Sequence, residues 1–121
     1  MARSVLSEEN IHPAVRDKVT RHEADIVGQV QAAVAGHAVV VVGMRQNPFP
    51  KKVRKALNEA SIAHHYLEYG SYFSQWRLRT ALKMWSGWPS FPMVFVKGNL
   101  MGGADDLIKL ITSGELKRLL G

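Results

Sequence analysis

Four consecutive valines, Val39 to Val42, constrain this chain more than any other feature. A β-branched run with no polar alternation is the pattern of a strand covered on both faces. A strand of that kind needs helices above and below it, so the run predicts a layered α/β domain. The predicted strand spans His37 to Val42, and its flanks agree with that reading. Upstream, Ile26, Val27, Val30, Ala33 and Val34 recur at three- and four-residue steps and stop at Gly36, which predicts a helix from Glu23. Downstream, a helix is expected from about Phe49 to Ala60, followed by a second strand over Ile62–Leu67, parallel to the first through that crossover. Gly70-Ser71 breaks the chain. Tyr72 to Met84 is then read as helical, with Phe73, Trp76, Leu78 or Thr80, and Leu82 available for packing. Pro92–Val96 and Asn99–Met101 are expected to pair as a hairpin about Lys97-Gly98, ahead of helices over Ala104–Ile111 and Gly114–Leu120. Residues 1–22 read as a polar extension with a short helix from Pro13 to Thr20, and residues 23–121 as one domain.

Charge and composition narrow the function classes. Lys and Arg number 16 against 10 Asp and Glu, an excess that favours nucleic acid, acidic proteins, anionic lipid or a small carboxylate as partner. Lys51, Lys52, Arg54 and Lys55 cluster on an amphipathic segment whose apolar members are Val53, Ala56 and Leu57. A nucleic-acid footprint calls for exposed aromatics among such cations, and the aromatics lie mostly elsewhere in sequence, so a solvated helix face is the expectation. No apolar run approaches the ~20 residues that span a bilayer, and the first residues lack the apolar stretch of a signal peptide. A cytoplasmic address is therefore expected. The chain has no cysteine, hence no disulfide, no thiolate metal ligand and no thiol redox couple of its own. His64 and His65 are adjacent on a predicted strand and point to opposite faces, while His12, His22 and His37 have no site-like spacing, so no metal is expected.

The most distinctive local pattern is Trp88-Pro89-Ser90-Phe91-Pro92, then the apolar run Met93–Val96, closed by Gly102-Gly103-Ala104-Asp105. A proline is tolerated at the first position of a strand, which can do without an amide donor. Glycines ahead of a helix leave backbone amides exposed at its N-terminus, where anions bind, although Asp105 can instead serve its own helix as a cap. Together these segments resemble the glutaredoxin family, nearest its monothiol class, whose members carry Trp-Pro-Thr-x-Pro followed by Gly-Gly-x-Asp. Leu78-Arg79-Thr80-Ala81-Leu82-Lys83 is similar to that class's Leu-Arg-Gln-Gly-Leu-Lys run. The resemblance covers roughly residues 23–120. It implies the thioredoxin fold in its glutaredoxin form, a mixed four-stranded sheet with helices on both faces. It also implies a glutathione groove. Cis-Pro92 would direct the Phe91 backbone to the cysteinyl part of the ligand, and Gly103, Ala104 and Asp105 would hold the γ-glutamyl end. Arg79 matches the arginine associated with the glycyl carboxylate, Arg45 stands in for a lysine after the first strand, and Phe49 matches the family's aromatic.

The family's nucleophile has no counterpart here. Alignment puts Asn47 on that position, in Asn47-Pro48-Phe49-Pro50. An asparagine cannot attack a disulfide and is a poor ligand for an iron–sulfur cluster. As an N-cap ahead of a proline it starts a helix well, for about 1 kcal/mol. Pro48 and Pro50 also remove two backbone N–H groups that would otherwise face an anion, and Ser90 has no evident base. The leading expectation is a domain that binds glutathione, or a peptide or protein partner, in such a groove without thiol-disulfide catalysis. Two other expectations stand beside it. One is a role in redox homeostasis or iron–sulfur handling that uses a partner's cysteine; the other is an interaction or nucleic-acid module built on the Lys51–Lys55 face.

Overall fold

Four strands, β1 (Val39–Gly43), β2 (His65–Glu68), β3 (Met93–Val96) and β4 (Asn99–Gly102), form one sheet in the order β2-β1-β3-β4. They belong to a computed structural model that describes residues 3–121. β1 runs parallel to β2 and antiparallel to β3, and β3 pairs antiparallel with β4. The valine run thus lies inside the sheet. Its alternation feeds two cores: Val40 and Val42 pack with Ile26, Val30, Leu82 and Phe95, and Val39 and Val41 with Val53, Leu57, Leu107 and Leu116. Each of the four valines is at most 1 % exposed. Full burial of such a side chain contributes about 1.5–3 kcal/mol, so β1 is the main apolar anchor of both layers.

The helices are α1 (Pro13–Arg21), α2 (Ala24–Gly36), α3 (Pro48–Glu59), α4 (Trp76–Ser86), α5 (Ala104–Thr112) and α6 (Glu115–Leu120). α2 and α4 cover one face of the sheet, and α3, α5 and α6 cover the other. This is the mixed α/β thioredoxin fold expected from the sequence. α1 supplies no buried residue, and Val15 and Val19 on it remain exposed.

Several boundaries differ from the sequence expectation for local reasons. β1 starts at Val39 because the His37 amide is still spent on α2, donating to the Ala33 carbonyl at 3.0 Å. β2 starts at His65, since Ser61 takes a left-handed conformation and the Ile62 amide caps α3 through the Leu57 carbonyl. α4 starts at Trp76 rather than Tyr72. Ser71 and Ser74 close a turn on each other, the Ser71 hydroxyl accepts the Phe73 amide, and Gln75 is left-handed at φ 54°. Phe73 and Trp76 therefore do not pack inside: they are 89 % and 64 % exposed. The β3–β4 hairpin turns on Lys97 and Gly98, both at positive φ, as the right-handed twist of a two-residue hairpin requires.

Two other local features shape this half of the molecule. A Cβ on Gly43 would lie 2.8 Å from Pro50 and 2.9 Å from the Tyr66 ring, so glycine there lets the start of α3 approach the end of β1. His37 and His65 stack with ring centroids 4.2 Å apart, a pairing that sequence spacing did not indicate.

Tyr66 on β2 is half-buried under Arg54, whose guanidinium carbon sits 4.1 Å from the ring centroid, and its hydroxyl donates to Glu68 at 3.1 Å. Burial first, then the Glu68 charge and hydrogen bond, push the phenol up to about 12 against the opposing pull of Arg54. Burial moves Tyr69 the same way. A phenol whose folded value exceeds its unfolded value of 10.0 stabilises the fold below that value, and the stabilisation is lost as pH rises towards about 12. Thermal unfolding followed by circular dichroism across that window will show a fall in Tm that Tyr66→Phe reduces in part.

Candidate functional site

A cleft of about 510 Å³ opens where the end of β1, the starts of α3 and α5, the face of α4 and the loop before β3 meet. Asn47 is at its floor, only 8 % exposed. Its backbone is extended, so the side chain folds over the first turn of α3, and Oδ1 accepts the Phe49 amide at 3.0 Å. Pro48 fills the first helical position, where no amide is needed. The other half of the carboxamide faces away from the helix: Nδ2 donates to the Phe91 carbonyl at 3.1 Å. The capping role expected of Asn47 is present, joined by a bridge 44 residues along the chain that the sequence did not reveal.

The Phe91–Pro92 peptide bond is cis, and both residues are buried at the cleft. Because Asn47 already occupies the Phe91 carbonyl, the loop offers a ligand the Phe91 amide more readily than a donor–acceptor pair. Across the cleft, the chain turns through Gly102 at φ +107°, where a Cβ would lie 2.5 Å from an Asp106 carboxylate oxygen. That carboxylate accepts the Gly103 amide at 3.0 Å. Asp106, not Asp105, therefore serves the helix end, while Asp105 is exposed and free of any hydrogen bond or ion pair among the described residues. Gly103 has no side chain to cap the following amides, so those of Ala104 and Asp105 stay available at the positive end of α5.

α4 forms the basic wall. Arg79 is 7 % exposed, and its Nη1 donates to the Tyr69 carbonyl at 3.1 Å and to the Ser74 carbonyl. Burial pushes its guanidinium below the ordinary value. Part of Arg79 thus serves to hold the 69–75 loop. Lys83, one turn further on the same face, also lines the cleft, with Nζ 5.8 Å from the centroid of the Phe91 ring. Its i,i+4 spacing from Arg79 is the signal that would have found it.

Of the residues singled out in the sequence, Asn47, Phe49, Arg79, Phe91, Pro92, Gly103, Ala104 and Asp105 line this one cleft. Arg45 does not. It sits in a turn that Gln46 reverses at φ 65°, and its amide is held by the Gly70 carbonyl at 2.6 Å. Met44, Tyr72, Lys83 and Trp88 line the cleft in addition. The Trp88 indole N–H is buried with no acceptor among the described residues. The cleft presents cations on one wall, and helix amides and a free carboxylate on the other.

The two halves of the Asn47 carboxamide separate by mutation. Asn47→Asp keeps an N-cap acceptor but sets a carboxylate against the Phe91 carbonyl, so it loses about 1–3 kcal/mol. Asn47→Ser keeps a cap, cannot span to Phe91, and falls between the aspartate variant and the wild type. Urea unfolding midpoints in that order are the expected outcome.

The fold has known counterparts. The glutaredoxin family model matches residues 39–101. A "Glutaredoxin-like protein" of Dictyostelium discoideum is 45% identical over 98 residues, which cover 81% of this chain and 80% of that one. Oxidized glutaredoxin 2 of Chlamydomonas reinhardtii superposes with a TM-score of 0.69 at 29% identity, covering 81% of this chain and 92% of its own. A buckwheat glutaredoxin–glutathione complex gives a TM-score of 0.72 at 21% identity over 83% of this chain and 91% of its own, a likeness of fold. The family-model match over 39–101 and the 45% identity to the Dictyostelium discoideum protein across most of both chains show that the chain belongs to the glutaredoxin family.

Proposed function

We propose that this domain binds glutathione, or a peptide that presents the same charged groups, in the Asn47 cleft without performing thiol–disulfide exchange. The observation that carries the reading is the charge layout of the cleft. Lys83 and Arg79 face carboxylates from one wall, and the Ala104 and Asp105 amides receive another at the opposite end. The free Asp105 carboxylate complements an α-ammonium group beside that second anion. Glutathione carries two carboxylates and one ammonium, and it is the ligand of the buckwheat glutaredoxin that shares the fold. The buried Trp88 indole N–H adds a donor in need of an acceptor.

Affinity is set by what the cleft has given up. Asn47 takes up one acceptor site of the Phe91 carbonyl, so a bound peptide competes for that carbonyl and meets the Phe91 amide more readily. Arg79 spends Nη1 within the protein and keeps its remaining donors for a ligand. Lys83 is free of any ion pair among the described residues and meets the glycyl carboxylate in this reading.

Titration of the ¹⁵N-labelled protein with reduced glutathione tests this. Saturable shifts of the Phe91, Ala104 and Asp105 amides and the Trp88 indole are expected, and Lys83→Met is to weaken binding about five- to tenfold. Scattered shifts, or none at millimolar ligand, remove the reading. In a disulfide-reduction assay the isolated chain stays at background. Gain of turnover by Asn47→Cys would show a scaffold that still positions a thiolate at the start of α3.

A further inference from the structure

The excess positive charge is not spread over the chain. The segments 44–58 and 69–104 hold nine of the 16 Lys and Arg and none of the 10 Asp and Glu. The fold brings the beginnings of these two segments together: the Arg45 amide donates to the Gly70 carbonyl at 2.6 Å, and Phe49 and Tyr72 line the same cleft. Phe49 and Tyr72 at the cleft are 49 % and 58 % exposed, and Phe73 and Trp76, next along the chain from Tyr72, are 89 % and 64 % exposed. Exposed Arg45, in the turn after β1, and exposed Arg77, in the first turn of α4, are their neighbours along the chain. The serine-bonded turn over 71–74 fixes the backbone that presents Tyr72 and Phe73, so these rings are held outward by local structure rather than by fraying.

We infer that this aromatic and basic rim is a docking surface for an acidic, extended polypeptide segment of a partner protein, one that passes over the 69–75 loop and the start of α4 towards the cleft. The inference rests on the cleft reading above only for its direction. Charge complementarity selects the occupant. Two cations with no carboxylate in either segment attract an acidic chain, and large exposed aromatics supply the apolar contact that charge alone lacks. A single-stranded nucleic acid would match the aromatics as well, but a phosphate backbone continuing into the cleft meets Asp105 and Asp106 on its far wall. A polypeptide can stop its acidic side chains short of that wall. The Lys51–Lys55 cluster is committed in part elsewhere, since Arg54 lies over Tyr66 and Lys55 pairs with Glu59 at 3.9 Å.

Fluorescence anisotropy with a labelled synthetic peptide of alternating glutamate and leucine tests the inference. Saturable binding that weakens with added salt is expected. Phe73→Ser with Trp76→Ser, and separately Arg45→Glu with Arg77→Glu, are each to weaken it at least about tenfold. Phe73 and Trp76 are uncharged and do not line the cleft, so glutathione titration of the Phe73→Ser, Trp76→Ser variant remains at its wild-type value. Equal binding of the matching lysine–leucine peptide, tighter binding of an oligothymidylate at the same salt, or indifference to both double variants overturns the inference. Glutathione binding with no response to the acidic peptide overturns it alone and leaves the cleft reading standing. Rim-dependent peptide binding without glutathione binding does the reverse.

Discussion

The Asn47 carboxamide makes two hydrogen bonds in opposite directions, one into the first turn of α3 and one across to the carbonyl before cis-Pro92. Both partner segments are needed to give the cleft its floor, and this side chain is what ties them to each other. A buried side-chain amide of this kind is stabilising only when both ends are satisfied, because an unmade bond costs about 1–3 kcal/mol. A sulfur atom in that place would leave the Phe91 carbonyl free and the helix start uncapped. Asn47 is here a structural joint between the start of α3 and the loop before β3.

The same economy runs through the rest of the cleft. Arg79 divides itself between holding the 69–75 loop and facing the cleft, and Asp106 takes the capping duty that leaves Asp105 free. These side chains tie the site to the packing of the sheet, since Arg79 stands beside buried Ala81 and Leu82 on α4, and Ala104 and Leu107 lie in the core on α5. The cleft is consequently polarised, with cations and aromatics on the side of the 69–75 loop and α4 and carboxylates on the side of α5.

How far the sequence could be read depends on where the information sits. The Val39–Val42 run reports burial on both faces directly, because alternate valines enter different cores and no polar residue can intervene. The proline loop and glycine pair were legible for a related reason: backbone geometry there restricts residue type. The start of α4 was not, since the Ser71–Ser74 turn and the left-handed Gln75 depend on side-chain hydrogen bonds that apolar periodicity ignores. Phe73 and Trp76 consequently look like core residues in sequence and are surface residues in the fold. The Asn47–Phe91 bond and the His37–His65 stack join distant segments, and no local pattern announces them. Arg45 matched a lysine by position along the chain, but the reversal at Gln46 turns it out of the cleft lining.

Direct observation of the Asn47 side-chain amide is the sharpest check on this account. In ¹⁵N,¹³C-labelled protein, one Asn47 Nδ2 proton should exchange slowly with solvent and show a through-hydrogen-bond coupling to the Phe91 carbonyl carbon. Exchange as fast as that of the exposed Asn58 side chain, with no such coupling, would contradict the joint on which the cleft is built.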